Sequence, residues 1–551
     1  MIGTVRHNND TRARQPARRG VVLLAVLVVV ALLTLAAYQF HNAMSAELET
    51  AQAFNRVQAS RIYAQAGLHY AAFVLSHPQA AGLADADDST LLWPPAAYDA
   101  PDVFQHRPVG TTSSGVAGYF TIVAPRDPDD PLASSVPWRF GVTDESGKLN
   151  INTLVALAGN TRRARQMLLR LPNMTEETVD ALLNWMGRGD STSAAGDSLY
   201  YSSLGYTLKN GPFESLEEML LVRGITPRML YGNDLNRNGL PDPGETSTGL
   251  LTPGLMHWLT IYSRELNVDS QGLQRLNLND TDLQSLYDEL VPLVGENLAR
   301  FILAYRIYGG STQQSGSPSQ RPGSSGQQST SDTIVQDISE VPLDFNARPR
   351  GRIGSLLDLV DAVVTYREER EFVPLETRNA HIGLVFLRTV RYQVTSPLRS
   401  DDFRGLEEKL SILYDRTATD ANTELVPRIN VNTAPREVLA LLSGLSEQQV
   451  QSILDNRPGA DTDPSLAPLY RTPVWLVTRA GIGLPTLREL ERYITARSQV
   501  FRVQVLGYAP GGAPAARLEA VINTNNGRPQ ILFWRDLTDL GATLPPALLP
   551  Q

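Results

Sequence analysis

The sequence predicts an α+β chain with three parts: a long N-terminal helix, an antiparallel sheet, and a large inserted all-α domain built from repeated helix-hairpin units. Three observations predict it. Val21 to Phe40 contains no charged residue and runs on into a stretch with small and apolar residues at helical spacing. Alternating strand-like runs occur near both ends of the chain. Between them an Asn-x-Asn motif followed by helical sequence occurs three times.

The helix comes first. Twenty uncharged residues span roughly 30 Å as an α-helix, the thickness of a bilayer's hydrocarbon core. Apolar or small residues then recur at Ala51, Phe54, Val57, Ala64, Leu68, Ala71 and Leu75, and Pro78 closes the pattern. The first twenty residues carry five arginines (Arg6, Arg12, Arg14, Arg18, Arg19) against one acid, Asp10. That asymmetry keeps this end cytoplasmic and the bulk of the chain outside. A cleaved secretory signal would have a shorter apolar core and a small-x-small site; Ala36-Ala37-Tyr38 imitates one weakly, and the helical pattern continues past it. A plain membrane anchor remains the competing reading.

Strand-like runs follow at Gly118–Ala124 and Trp138–Val142, then at Val500–Leu506, Ala516–Ile522 and Pro529–Trp534. Turn residues such as Gly511-Gly512 and Asn526-Gly527 separate the later ones, which predicts an antiparallel meander. Strands on both sides of a helical block make that block an insertion. Its repeats are Lys148-Leu-Asn-Ile-Asn-Thr153, Arg275-Leu-Asn-Leu-Asn-Asp280 and Arg428-Ile-Asn-Val-Asn-Thr433. Each ends in a candidate cap (Thr153, Asp280, Thr433) and precedes a helical hairpin. Ser446 with Gln449 reads as a capping box, and Thr175 and Thr226-Pro227 as further helix starts. The segments beginning at Phe213, Ile353 and Pro473 repeat as well. Ser311 to Asp332, nearly all Ser, Gly, Gln and Pro, cannot bury a core and is expected to be disordered.

The basic leader ending in Gly20, the apolar segment from Val21 and the continuous helix resemble the type IV pilin family. Most pilins carry a glutamate five residues into the mature chain, where this sequence has Ala25. That departure, with Asp144–Thr153, Ile429–Pro435 and the closing strands, resembles minor pseudopilin K of type II secretion systems. The resemblance implies a type IV pilin-like fold and no enzymatic activity. It implies cleavage between Gly20 and Val21 by a prepilin peptidase, and Ala25 as the mark of a subunit at the fibre tip. Expected partners are other minor and major pseudopilins and the inner membrane. The protein would be a single-pass protein of the bacterial inner membrane with its C-terminal bulk in the periplasm, capping the pseudopilus tip. The expected division is a leader over 1–20, a helix over 21–77 (21–40 in the membrane), a first part of the pilin-like core over 78–147, the inserted domain over 148–497, and closing strands over 498–551.

Asp234-Leu-Asn-Arg-Asn-Gly-Leu-Pro-Asp-Pro-Gly-Glu245 fits the order of a calcium loop. Asp234, Asn236 and Asn238 supply side-chain oxygens, Gly239 permits the turn, Leu240 offers its carbonyl, and Asp242 and Glu245 complete the set. Hard Ca²⁺ prefers such oxygens, and a structural Ca²⁺ is the expected cofactor; a polar turn is the competing reading. With no cysteine, disulfides and thiolate sites are excluded.

The Asn-x-Asn hairpins also resemble helix-hairpin-helix DNA receptors, so a membrane-tethered DNA-uptake or adhesion protein is the alternative. Against it, the turns at Gly444, Pro172 and Val294 lack the second glycine, and Glu447, Glu176, Glu177 and Glu296 stand where phosphate would lie. The chain's net charge is -9 despite its basic start, so its body is acidic and no nucleic-acid partner is expected. No G-x-S-x-G, P-loop or H-E-x-x-H occurs, and the seven histidines are scattered.

Overall fold

A computed structural model of the protein describes residues 19–83, 98–112, 115–130, 132–133, 136–189, 191–239, 242, 244–245, 251–312, 333–372, 386–459, 464–511 and 515–540. Leader residues 1–18, Leu240, His381 and most of the Ser/Gly/Gln stretch (313–332) lie outside them.

Helix α1 (Arg19–Ser76) is continuous over 58 residues. Its first half is exposed throughout, with Val21 69 % and Leu32 60 % accessible, although it is the most apolar part of the chain. A helix that keeps its apolar face out of the protein's own core needs another apolar medium. Further along, Ala64, Leu68, Ala71 and Leu75 are buried at helical spacing. Pro78 then starts a short 3₁₀ turn, since its ring removes an N–H that the helix would use.

That buried face lies on a seven-stranded sheet. Its first strands are β1 (Arg107–Thr112), β2 (Gly115–Pro125), β3 (Trp138–Arg139) and β4 (Thr143–Asp144). A second, four-stranded sheet follows: β5 (Gly310–Thr312), β6 (Thr333–Val335), β7 (Ala362–Phe372) and β8 (Phe386–Thr395). The chain then returns to the first sheet with β9 (Val500–Tyr508), β10 (Ala515–Asn523) and β11 (Gln530–Asp536). The order is β1-β2-β9-β10-β11, with β3 on β2 and β4 on β9, and all pairs are antiparallel. Phe120, Ile122, Val503, Val505, Leu518, Ala520 and Ile522 form the core against α1. Contact is close enough that a Cβ on Gly507 would stand 2.1 Å from the Ser60 carbonyl oxygen.

Between β4 and β9 lie further helices, among them α2 (Glu176–Trp185), α3 (Leu283–Val294), α4 (Glu296–Tyr308), α5 (Phe403–Arg416) and α6 (Glu447–Asn456). They enclose a core of their own. The all-α expectation for this region needs correction, because the second sheet lies within it. Strands β7 and β8 pair over ten positions. Val364 faces Val394 and Tyr366 faces Tyr392, all four buried, while Thr365 and Arg367 between them are exposed. Period-two alternation of β-branched and aromatic residues is strand chemistry.

Candidate functional site

Three short strands carry the Asn-x-Asn motifs, and each pairs in parallel with a distant partner. Leu149–Asn150 pairs with Leu259–Thr260, Leu276–Asn277 with Thr417–Ala418, and Ile429–Asn430 with Ile494–Thr495. The first asparagine makes the same turn each time. Oδ1 of Asn150, Asn277 and Asn430 accepts the N–H two residues on, at 3.1, 3.0 and 3.0 Å. The second asparagine clamps a later segment. Asn152 bonds both the N–H and the carbonyl of Phe213 (2.8 and 2.9 Å), and Asn279 does the same to Ile353 (2.9 and 2.8 Å). Asn432 donates to the Tyr470 carbonyl at 2.7 Å.

The expected caps fare unevenly. Thr175, Thr226 and the Ser446–Gln449 box cap their helices. Thr153 precedes a helix without making a side-chain cap bond, and α3 is capped by Asp282 rather than Asp280. Thr433 lies short of the helix start, which falls at Pro435, and its Oγ1 donates to the buried Asp144 Oδ2 at 2.5 Å.

Asp144 and its neighbour Glu145 form the junction between sheet and insertion. Asp144 also accepts from Ser146 N–H (2.7 Å), Asn430 Nδ2 (2.9 Å) and Ser498 Oγ. Burial still pushes its carboxyl above the ordinary range. Glu145, fully buried, accepts from Arg502 Nε at 2.8 Å, Lys148 Nζ at 2.9 Å and Thr260 Oγ1. Burial opposes its charge, but Arg502 and Lys148 outweigh burial and hold its carboxyl down to about 2. Arg502 continues to Glu519 (3.1 Å), which accepts from Arg535 Nε (2.6 Å); Arg535 reaches Glu217 in the insertion at 2.5 Å. Asp144, Glu145 and Lys148 lie in the segment that carries the resemblance, whereas Arg502, Glu519 and Arg535 carried no sequence signal beyond their places in alternating strands.

The acidic loop packs on the same face of the sheet. Asp234 accepts the N–H groups of Asn238 (3.1 Å) and Gly239 (2.8 Å). Asn236 and Asn238 donate their side-chain amides to Asp242 Oδ2 at 2.6 and 2.7 Å. Glu245 Oε1 accepts Leu235 N–H at 3.0 Å, while its buried Oε2 has no hydrogen-bond partner. Burial, and then the nearby Glu245 charge, raise the Asp234 carboxyl. Arg517 on β10 donates to the Asn236 and Arg237 carbonyls at 2.7 and 2.6 Å. Gly239 has φ +70°, and a Cβ there would stand 2.4 Å from the Trp138 ring, so the turn and its seat on β3 both require glycine.

Asp234, Asn236, Asn238, Asp242 and Glu245 are thus brought together. Among the described residues no three acidic or histidine side chains cage a metal by themselves; the amides and the Leu240 carbonyl, outside those residues, would have to complete a shell. The donor chemistry fits a hard cation: every side-chain ligand offers oxygen, one buried carboxylate oxygen is orphaned, and Asp234 is strained toward protonation. Gly20 and Val21 lie in the first turn of α1, and Ala25 is exposed in its apolar half.

Comparisons with known proteins place two matches around these features. Residues 147–231 match a family model described as type II secretion system, protein K, and residues 429–463 match a second model of the same description. They span the first and third Asn-x-Asn junctions, apart from Arg428. A search of curated proteins finds no match.

Proposed function

We propose that the chain, which matches models of the type II secretion system protein K family over residues 147–231 and 429–463, is a minor pseudopilin that caps the pseudopilus tip together with other minor pseudopilins. One observation supports this reading most. A single continuous helix has a charge-free half exposed along its length and a second half packed on an antiparallel sheet. Such a helix joins a lipid-embedded stem to a folded body without a flexible linker.

In this reading a prepilin peptidase cuts between Gly20 and Val21 on the cytoplasmic side of the inner membrane, and the stem stays in the membrane with the bulk in the periplasm. Apolar Ala25 then needs no compensating amine from a subunit above it, whereas a glutamate in lipid would cost several kcal/mol if left unpaired, by the order of magnitude for buried charges. The insertion, duplicated hairpin units together with the second sheet, is too wide to be buried along a thin fibre and suits its end. No catalytic role is assigned to any residue.

The acidic loop belongs to the same proposal. Asp234, Asn236, Asn238 and Asp242, with the Leu240 carbonyl and both Glu245 oxygens, would hold one Ca²⁺ at roughly 10⁻⁴ M or tighter, the weaker extracellular range. The ion would supply rigidity where the insertion meets the sheet.

Pull-down of the full chain in detergent with the other minor pseudopilins tests the tip assignment. Stoichiometric capture of at least one is expected; binding only to the major pseudopilin would argue for a place along the fibre instead.

A further inference from the structure

Away from the junction, the second sheet gathers arginines that the fibre role does not use. A groove of about 750 Å³ runs between the C-terminal end of α4 and strands β7 and β8. Its floor holds Tyr308, and Arg348, Arg350, Arg367 and Arg391 line it. The first three are exposed and Arg391 is half-buried. Asp344 is the one carboxylate in the lining, and it accepts the Asn346 N–H at 3.0 Å.

None of the four guanidinium groups has a carboxylate partner among the described residues. Half-buried arginines elsewhere, the setting of Arg391, are paired: Arg416 with Asp269, Arg428 with Glu265, Arg535 with Glu217 and Glu519. Moreover, Arg367 and Arg391 stand directly opposite each other in the β7–β8 register. Like charges in that position destabilise a strand pair. A net acidic chain has thus kept four guanidinium forks around one groove, against two carboxylates, Asp344 and Glu368, near Tyr308. Such forks match carboxylate or phosphate oxygens two at a time.

We propose that this groove docks an extended acidic segment of a partner protein, its carboxylates gripped by Arg348, Arg350, Arg367 and Arg391. The arrangement favours spaced carboxylates over one compact phosphate. The floor is a helix C-terminus, where the partial charge is negative, and Asp344 adds to it. A dianion seated there would be repelled. Arg348 and Arg350, by contrast, flank Pro349 two residues apart, and alternate side chains of an extended chain recur about 7 Å apart. Tyr308, whose hydroxyl donates to the Pro342 carbonyl at 2.6 Å, is held rigid by stacking its ring on Tyr366.

The test uses the full chain in detergent micelles and a fluorescein-labelled peptide of alternating Glu and Ser, with its Gln-Ser counterpart as control. The Glu peptide should bind, weaken as salt rises, and outcompete the Gln peptide by about tenfold or more. Arg367→Gln with Arg391→Gln should lower its affinity at least tenfold while leaving the thermal midpoint unchanged or higher, because a like-charge pair is removed. Arg348→Gln with Arg350→Gln, on the other wall, should lower it comparably. Equal binding of both peptides, or unchanged affinity in both double variants, would overturn the proposal. So would displacement of the Glu peptide by equimolar inorganic phosphate, which would make the groove a phosphate site.

Discussion

Replacing Glu145 by glutamine tests the junction at its most buried charge. The carboxylate is inaccessible and is the direct partner of both Lys148 and Arg502. Arg502 keeps Glu519 in the variant, but Lys148, itself only 7 % exposed, loses the one acid that bonds it. Stranding a buried charge in this way costs about 3–5 kcal/mol. A second route gives a similar figure. The Glu145 carboxyl sits at about 2 in the folded chain against an ordinary 4.5, and that depression corresponds to about 3 kcal/mol. Because the folded value lies below the unfolded one, this stability is fully present above pH 4.5 and is lost as pH falls toward 2. Urea unfolding of the full chain in detergent, followed by tryptophan fluorescence at neutral pH, should show Glu145→Gln destabilised by about 3 kcal/mol or more. Its stability should also fall less steeply than wild type's between pH 4.5 and 2. Adding Lys148→Met should recover part of the loss, since it removes the stranded ammonium. A Glu145→Gln variant within about 1 kcal/mol of wild type would refute the reasoning.

Other expectations follow from the same geometry. Calorimetry should register calcium binding to wild type and none to Glu245→Ala; equal heats would remove the loop from consideration as a cation site. Asn279→Ala deletes the clamp on both backbone groups of Ile353 and should cost about 2 kcal/mol, measured by the same urea titration. A smaller loss than at an exposed asparagine such as Asn346 would argue against the clamp. Gly20→Phe should leave the leader attached, seen as a larger band on a gel of the membrane fraction.

Much of the fold could be read from composition and period. The stem of α1 is legible because twenty uncharged residues have few other uses, and the closing strands because apolar residues alternate. The loop stood out because oxygen-bearing side chains come in order along twelve residues, and five of them are gathered by their own hydrogen bonds. What could not be read depends on partners remote in sequence. Arg502 and Glu519 occupy alternate positions of β9 and β10, which normally marks a face turned to water. Here the insertion covers that face, and Arg502 meets Glu145 from 357 residues away. The Asn-x-Asn motif announced an internal repeat, but its second asparagine acts on Phe213 and Ile353, 61 and 74 residues downstream. The pairing of Arg367 with Arg391 needed the β7–β8 hairpin, whose strands lay in a region read as helical.

The central claim is that the chain is trimmed just ahead of its apolar stem and keeps it. Intact mass and N-terminal sequencing of the protein recovered from the membranes of cells with a working prepilin peptidase test this directly. The account predicts a chain that starts at Val21; a first residue beyond Phe40 would contradict it.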